Sequence, residues 1–245
     1  MMLQSQVSKK EIFDKYLSYG FADANLSSLE PVLSAIHLDY VDLLPEARDA
    51  RILDLGCGMG HFLAYLKSRG YSNFIGVEVG AEQVRFCHQH ITENVVLVEE
   101  TADFLNAHIG EFDCVVFRDV IEHLEKRRVI ELLHLVHQSL RTNGFLLVET
   151  GNMSSFTGSF LLHKDFTHEV GFTEFSLRQV LRAAGFQDGL IRGNRTPTET
   201  NPNGLVRFLL QKLWHRFLRF VFWIERGGAP SPQVWTKLLI AKCAR

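Results

Sequence analysis

RILDLGCGMG, residues 51–60, decides the fold. A short apolar run ends in glycines at 56, 58 and 60, and HFLAYLKSRG (61–70) continues with apolar side chains at helical spacing. A continuous apolar run of this length reads as a strand buried on both faces. The glycines let backbone approach a ligand closely and present N–H groups at a helix N-terminus. Their spacing is GxGxG, not the GxGxxG of dinucleotide binders, and an acid, Asp54, precedes them. The next run, NFIGVEV (73–79), places Glu78 at its end, where a carboxylate can accept both hydroxyls of a ribose. Strand, acid, spaced glycines, helix, strand and terminal acid in one register point to an adenosine-containing ligand.

The same alternation extends outward. NVVLVE (94–99), FDCVVF (112–117) and GFLLVET (144–150) are further apolar runs. Between them lie AEQVRFCHQHI, TADFLNAHIG and the long EKRRVIELLHLVHQSL, each with helical spacing. Short strands separated by helices through short connections describe βα units around a parallel sheet. Residues 8–45 read as helices with a turn near Gly20–Asn25, packing over one edge as a lid. Residues 151–174 read as a long loop or broken helix, and a helix from about Phe175 to Ala184 is closed by Gly185. The polar NRTPTETNPNG leads into 205–226, and PQVWTKLLIAKCA reads as a last strand. The expected organisation is a single domain: a helical lid (1–49), a ligand-binding core (50–193), a helical insertion (194–234) and a final strand (235–245).

Over about residues 50–186 these motifs resemble class I S-adenosylmethionine-dependent methyltransferases. ILDLGCGMG looks like their first motif, VEV with Glu78 their ribose acid, and EETADFL the segment whose start contacts adenine. FDCVVFRDVIEHL resembles their fourth-strand motif, and LRTNGFLLVET their fifth strand with its preceding turn. FTEFSLRQVLRAAGF is similar to a helix found in a subgroup with many sugar and quinol O-methyltransferases. The resemblance implies an α/β, Rossmann-like fold. Its sheet would be mostly parallel and seven-stranded, with helices on both faces, an N-terminal helical lid and a C-terminal amphipathic insertion. It implies S-adenosylmethionine as cofactor, with Asp54, Gly56, Gly58 and Gly60 around the methionine part and Glu78 on the ribose. Thr101 and Ala102 flank the adenine; Cys57, Val79 and Arg118 complete the set. This chain has Thr101 where the family often has Asp, and Asn143 where a Pro is frequent. The activity implied is O-methylation of a sugar-type or lipid-linked acceptor, with a quinol or small phenol as the alternative. A catalytically silent cofactor-binding module that recruits partners is the reading from another class. Glycine spacing disfavours an NAD-dependent oxidoreductase.

On the acceptor side, Asp119-Val-Ile-Glu122-His123 follows the fourth strand and opens onto the cleft where α/β sheets bind ligands. Asp119, Glu122 and His123 are expected on one helical face. Some methyltransferases of this class bind a divalent metal through such a pattern plus a distant His, here His168. Glu122 and His123 bracing the sheet is the competing use, and no metal is expected. His168, in HKDFTH (163–168), is the candidate base, because imidazole changes charge near neutrality. A loop histidine that bonds only backbone is the alternative. Asp119 and His123 complete the expected catalytic group.

Composition sets the bounds around this reading. The 245 residues are 46% hydrophobic and 22% charged, which excludes disorder as the main state. The opening MMLQSQVSKKEIF lacks the apolar region of a secretory signal. Cys57, Cys87, Cys114 and Cys243 lie far apart, fitting reduced cytoplasmic thiols. The net charge of −2 conceals two unlike parts: residues 1–189 carry 16 basic and 26 acidic side chains, residues 190–245 carry 10 and 2. The basic end holds LVRFLLQKLWHRFLRFVFWIER (205–226). On a helix, Lys212, His215, Arg216, Arg219 and Arg226 share one arc, and Leu209, Leu210, Leu213, Phe217, Phe220, Val221 and Ile224 the opposite one, with Trp214 and Trp223 near the borders. This stretch can lie on an anionic membrane, dock on the core, or dock on a second subunit. No nucleic-acid reading module accompanies it. The expected location is cytoplasmic, with peripheral contact at the inner membrane face.

Overall fold

In a computed structural model, residues 9–21, 29–196 and 202–245 are described. The turn expected near Gly20–Asn25 falls largely outside them, as does part of the polar stretch 194–204. Seven strands form one sheet: β1 Ile52–Leu55, β2 Phe74–Glu78, β3 Val95–Leu97, β4 Phe112–Arg118, β5 Leu140–Gly151, β6 Leu190–Gly193 and β7 Leu238–Ala244. Their order is β3-β2-β1-β4-β5-β7-β6. The first five run parallel, and β7 is antiparallel to both β5 and β6. The sequence reading lacked β6, because that strand is half-exposed and carries no apolar run.

The helices are α1 Lys9–Asp14, α2 Leu29–Tyr40, α3 His61–Ser68, α4 Ala81–His90, α5 Thr101–Ala107, α6 Val129–Ser139, α7 Gly158–His163, α8 Glu174–Ala183 and α9 Pro202–Arg226. Local chemistry sets several of their ends. Thr173 caps α8 by accepting from the Ser176 N–H while Ser176 answers the Thr173 N–H, and Gly185, at φ 104°, ends it. Asn143 holds a φ of 68° in the bend before the apolar half of β5, a conformation Asn tolerates better than most residues.

Alternation along the strands builds two cores. Leu53, Val115, Phe117, Leu146 and Val148 face α5, α6 and α8. Ile52, Cys114, Val116 and Leu147 face α2, α3 and α4. Both sheet faces are therefore dry, which is why the strands read as unbroken apolar runs.

α9 is 25 residues long, and none of its described residues is buried. It rests on the body along a half-buried edge of Phe208, Gln211, His215, Leu218 and Phe222, with Phe222 edge-on to Trp235 at 4.9 Å. Of the apolar arc, Leu209, Leu210, Leu213, Phe217, Phe220 and Ile224 are exposed and Val221 is half-buried, so the arc as a whole does not dock on the core. Among the described residues, no helix is long and apolar enough to cross a membrane.

The burial contrast makes a stability prediction. Leu133→Ala, fully buried on α6, should lower unfolding free energy by about 2–5 kcal/mol in urea titration. Leu213→Ala, exposed on α9, should change it by less than about 0.5 kcal/mol.

Candidate active site

A cleft of ≈ 440 Å³ opens at the C-terminal ends of β1 and β4. The chain following β1 packs on one face of the sheet and the chain following β4 on the other. This reversal leaves a crevice between the two strands. Asp54, Gly56, Cys57 and Gly58 line one side, Arg118, Asp119 and His123 the other, and His168 reaches in from the segment after α7. Eight of the expected site residues thus meet in one cavity.

The glycines divide their duties. A Cβ on Gly56 would strike Val120 at 2.5 Å, and one on Gly60 would meet the Cys87 sulfur at 2.9 Å. Those two allow close packing, and Gly60 does not line the cleft. At Gly58, with φ +52°, a Cβ would meet open space. Its N–H donates to Glu78 Oε2 at 2.8 Å. Glu78 also accepts from the N–H groups of Val79 and Gly80, so its carboxylate braces the loop and lies outside the cavity lining. Val79, and Thr101 and Ala102 at the start of α5, are likewise outside it.

Two side chains that each keep one polar atom unpaired, Asp54 and Arg118, define the cavity's chemistry. Asp54 is buried, and its Oδ2 has no hydrogen-bond partner. Burial pushes its pKa up to about 7, with Arg118 pulling the other way. Arg118 donates to Glu149 Oε1 at 2.8 Å, stacks over Tyr40 and Phe62, and has a buried Nε–H without a partner. Tyr40 OH donates to the other Glu149 oxygen at 2.9 Å, tying α2 to the cleft wall. An unpaired anion and an unpaired donor cation in one cavity suit a zwitterion such as an amino acid carrying a further positive charge.

The far side is built around two imidazoles. His123 and His168 meet edge to face with ring centroids 4.7 Å apart. His168 Nδ1 lies 3.0 and 3.1 Å from the carbonyl oxygens of Leu161 and Leu162, so it carries the proton and leaves Nε2 bare. Thr167 Oγ1 donates to Asp165 and lies 2.8 Å from His123 Nδ1, which must therefore be the protonated nitrogen of that ring as well. Burial, and then the neighbouring His168, push the His123 pKa down to about 4, so it stays neutral at pH 7. Burial opposes the charge on Asp165, but hydrogen bonds from Tyr16 OH at 2.5 Å and from Thr167 outweigh it and hold the pKa below the usual carboxylate range.

Asp119, Glu122 and His123 do not share a helical face. Asp119 sits at φ 52° in the turn after β4, and Ile121–His123 is a single 3-10 turn, because the chain must bend sharply out of the sheet. Glu122 accepts from Thr150 Oγ1 at 3.0 Å. Burial and then Asp119 raise its pKa to about 8. Among the described residues, the group able to hold a metal is His123, Asp165 and His168, whose ligand atoms lie within 4.8 Å of one another. Asp165 replaces Asp119 and Glu122 in that set. Its oxygens are already engaged by Tyr16 and Thr167.

Tyr16, Asp165 and Thr167 escaped the sequence reading. HKDFTH placed Asp165 beside the candidate base, but no local signal tied it to Tyr16, 149 residues away.

A family model described as a methyltransferase domain matches residues 32–189. The chain is 27% identical over 124 residues to a ubiquinone biosynthesis O-methyltransferase of Xanthomonas oryzae, covering 49% of this chain and 51% of that one. It is 26% identical over 145 residues to a cyclopropane-fatty-acyl-phospholipid synthase of Escherichia coli, covering 57% of this chain and 36% of the other. It therefore spans about half, or less, of these relatives. Among solved structures, a SAM-dependent methyltransferase from Archaeoglobus fulgidus superposes with a TM-score of 0.67 at 21% identity, over 89% of this chain and 95% of that one. The 1,6-didemethyltoxoflavin-N1-methyltransferase of Burkholderia thailandensis, solved with S-adenosylhomocysteine, gives 0.55 at 16% identity, over 100% and 92%. Asp54 and Arg118 bring an acid and a guanidinium to the same cavity, a donor set whose chemistry fits the cationic groups and the carboxylate of S-adenosylmethionine.

Two measurements test this cofactor side. A cation binds the ionised form of Asp54, so affinity for S-adenosylmethionine should rise as pH increases through about 7, with proton release detectable by calorimetry in two buffers. Asp54→Asn should flatten that profile and weaken binding. Gly58→Val should abolish binding, because a branched side chain would project into the cavity; unchanged affinity would contradict the assignment.

Proposed function

This chain belongs to the S-adenosylmethionine-dependent methyltransferase family, and we propose that it methylates a hydroxyl oxygen of a sugar-type or lipid-linked acceptor. The observation that carries this reading is the bare Nε2 of His168 on the wall of the same cavity as Asp54 and Arg118. A hydroxyl needs its proton removed before it attacks, and His168 Nε2 is free to accept it. His123, held neutral by burial, positions the acceptor without competing for that proton. Bound S-adenosylmethionine supplies an activated methyl group on a sulfonium, transferred by in-line displacement. The remaining task of the protein is alignment and exclusion of water. Tyr16 and Phe21 from the N-terminal segment, and Leu161, Leu162 and Lys164 from the α7 region, line the acceptor end. We assign both segments the role of lid.

A quinol is the second acceptor class, favoured by the likeness to the ubiquinone biosynthesis O-methyltransferase. A cytoplasmic site of action agrees with four buried, free cysteines, and an anionic membrane surface is the contact we assign to residues 205–226. The silent-module alternative predicts cofactor binding without turnover.

Formation of S-adenosylhomocysteine with lipid and aqueous fractions of a cell extract separates these readings. Turnover with the lipid fraction is expected; binding with no turnover in either fraction would favour the silent module. His168→Ala should reduce turnover by about 10²–10⁴-fold while cofactor affinity stays within about twofold. An unaltered rate across several pH values would remove His168 as the base.

A further inference from the structure

The exposed arc of α9 and the acceptor lid are parts of one surface. Phe156, 76% exposed, meets Trp214 of α9 edge-on at 5.4 Å. Beyond Phe156, α7 has two sides: Leu161 and Leu162 line the acceptor end of the cleft, while Phe160 points to solvent at 69% exposure. A single short segment therefore separates the cavity from an apolar exterior continuous with α9. On α9 the apolar side chains more than half exposed include Leu209, Leu210, Leu213, Phe217, Trp223 and Ile224. At 100° per residue they centre opposite the half-buried edge through which the helix rests on the body. A helix of this length spans about 37 Å, and apolar surface of that extent marks an interaction site.

Charge selects the occupant. Lys212, Arg216 and Arg219 run along one border of the apolar arc, and Arg207 shares the other with Glu225, the only acid in the helix, so cations outnumber the acid around the arc. Trp214 and Trp223 stand near the borders, where indole rings favour a membrane–water boundary. A second copy pairing antiparallel about a two-fold axis would set three cations against three along one border, offset only where Arg207 of one copy meets Glu225 of the other. An anionic lipid surface meets the same cations with opposite charge.

We infer that the outer face of α9, with Phe156 and Phe160, docks on an anionic bilayer, and that the acceptor enters the cleft past α7 from the lipid leaflet. The docking stands on this surface alone; the statement about the acceptor rests on the methylation reading above. Apolar side chains enter the interface, the cationic border meets lipid phosphates, and α7 is held at the boundary between leaflet and cavity.

Co-sedimentation of the full chain with phosphatidylcholine vesicles, with and without phosphatidylglycerol, tests the docking. Binding to the mixed vesicles is expected, with quenching of Trp214 and Trp223 by brominated lipid while buried Trp235 is unaffected. Replacing Lys212, Arg216 and Arg219 together by Gln should weaken that binding about a hundredfold without altering S-adenosylmethionine affinity. The native cysteines are buried, so a Phe160→Cys variant can be labelled selectively with an environment-sensitive fluorophore; its emission should shift blue on mixed vesicles. No binding to either vesicle, together with a dimer broken by Leu213→Ser and Phe217→Ser, would overturn the lipid assignment in favour of a second copy. Binding with an unshifted label would overturn the route past α7. Protein that binds S-adenosylmethionine but ignores vesicles defeats this proposal alone. Protein that binds vesicles but not S-adenosylmethionine defeats the methylation reading alone.

Discussion

Adjacent parallel strands that send their following chain to opposite faces of a sheet cannot close the gap above their C-terminal ends. β1 and β4 are such a pair, and the molecule is organised around the gap between them. The glycine turn after β1 and the left-handed turn at Asp119 after β4 are the two banks. Everything else, from the two dry cores to the strand order, keeps those banks apart and fixed. Tyr16 and Phe21 before α2, and Leu161, Leu162 and Lys164 in and just after α7, line the same gap from outside the sheet.

Electrostatic tension inside the gap is the counterpart of that geometry. Arg118 is held by Glu149 and Tyr40 on its inner side and left open on the cleft side, while Asp54 keeps one oxygen unpaired. In a low-dielectric cavity such groups are costly to leave unpaired and strong when paired. The free protein therefore carries Asp54 with a raised pKa, which the positive charge of the ligand can lower. The far side works differently: its Tyr16–Asp165–Thr167–His123 chain is satisfied within the protein.

What the sequence made legible was whatever is encoded by neighbours along the chain. The runs ending at Leu55, Glu78, Phe117 and Thr150 announce buried strands because both faces are covered, and the three glycines announce the turn because only a few residues can sit there. β6 escaped because a half-exposed antiparallel edge strand needs no apolar run. Tyr16 and Asp165 escaped because their contact closes over a long separation with no periodicity to mark it. Glu78 was recognised as special, but its three backbone N–H partners could not be read from spacing. For α9 the amphipathic pattern was evident, whereas the docking edge was hidden: it includes Gln211 and His215 and is not the most apolar side.

The place of β7 has a consequence for how the chain is made. β6 touches the sheet through β7 alone, and β7 is encoded after α9. During synthesis the open edge of β5 is therefore made long before the strand that covers it. An unpaired strand edge is an aggregation hazard in a partly made protein, and here it is relieved only when β7 pairs with β5.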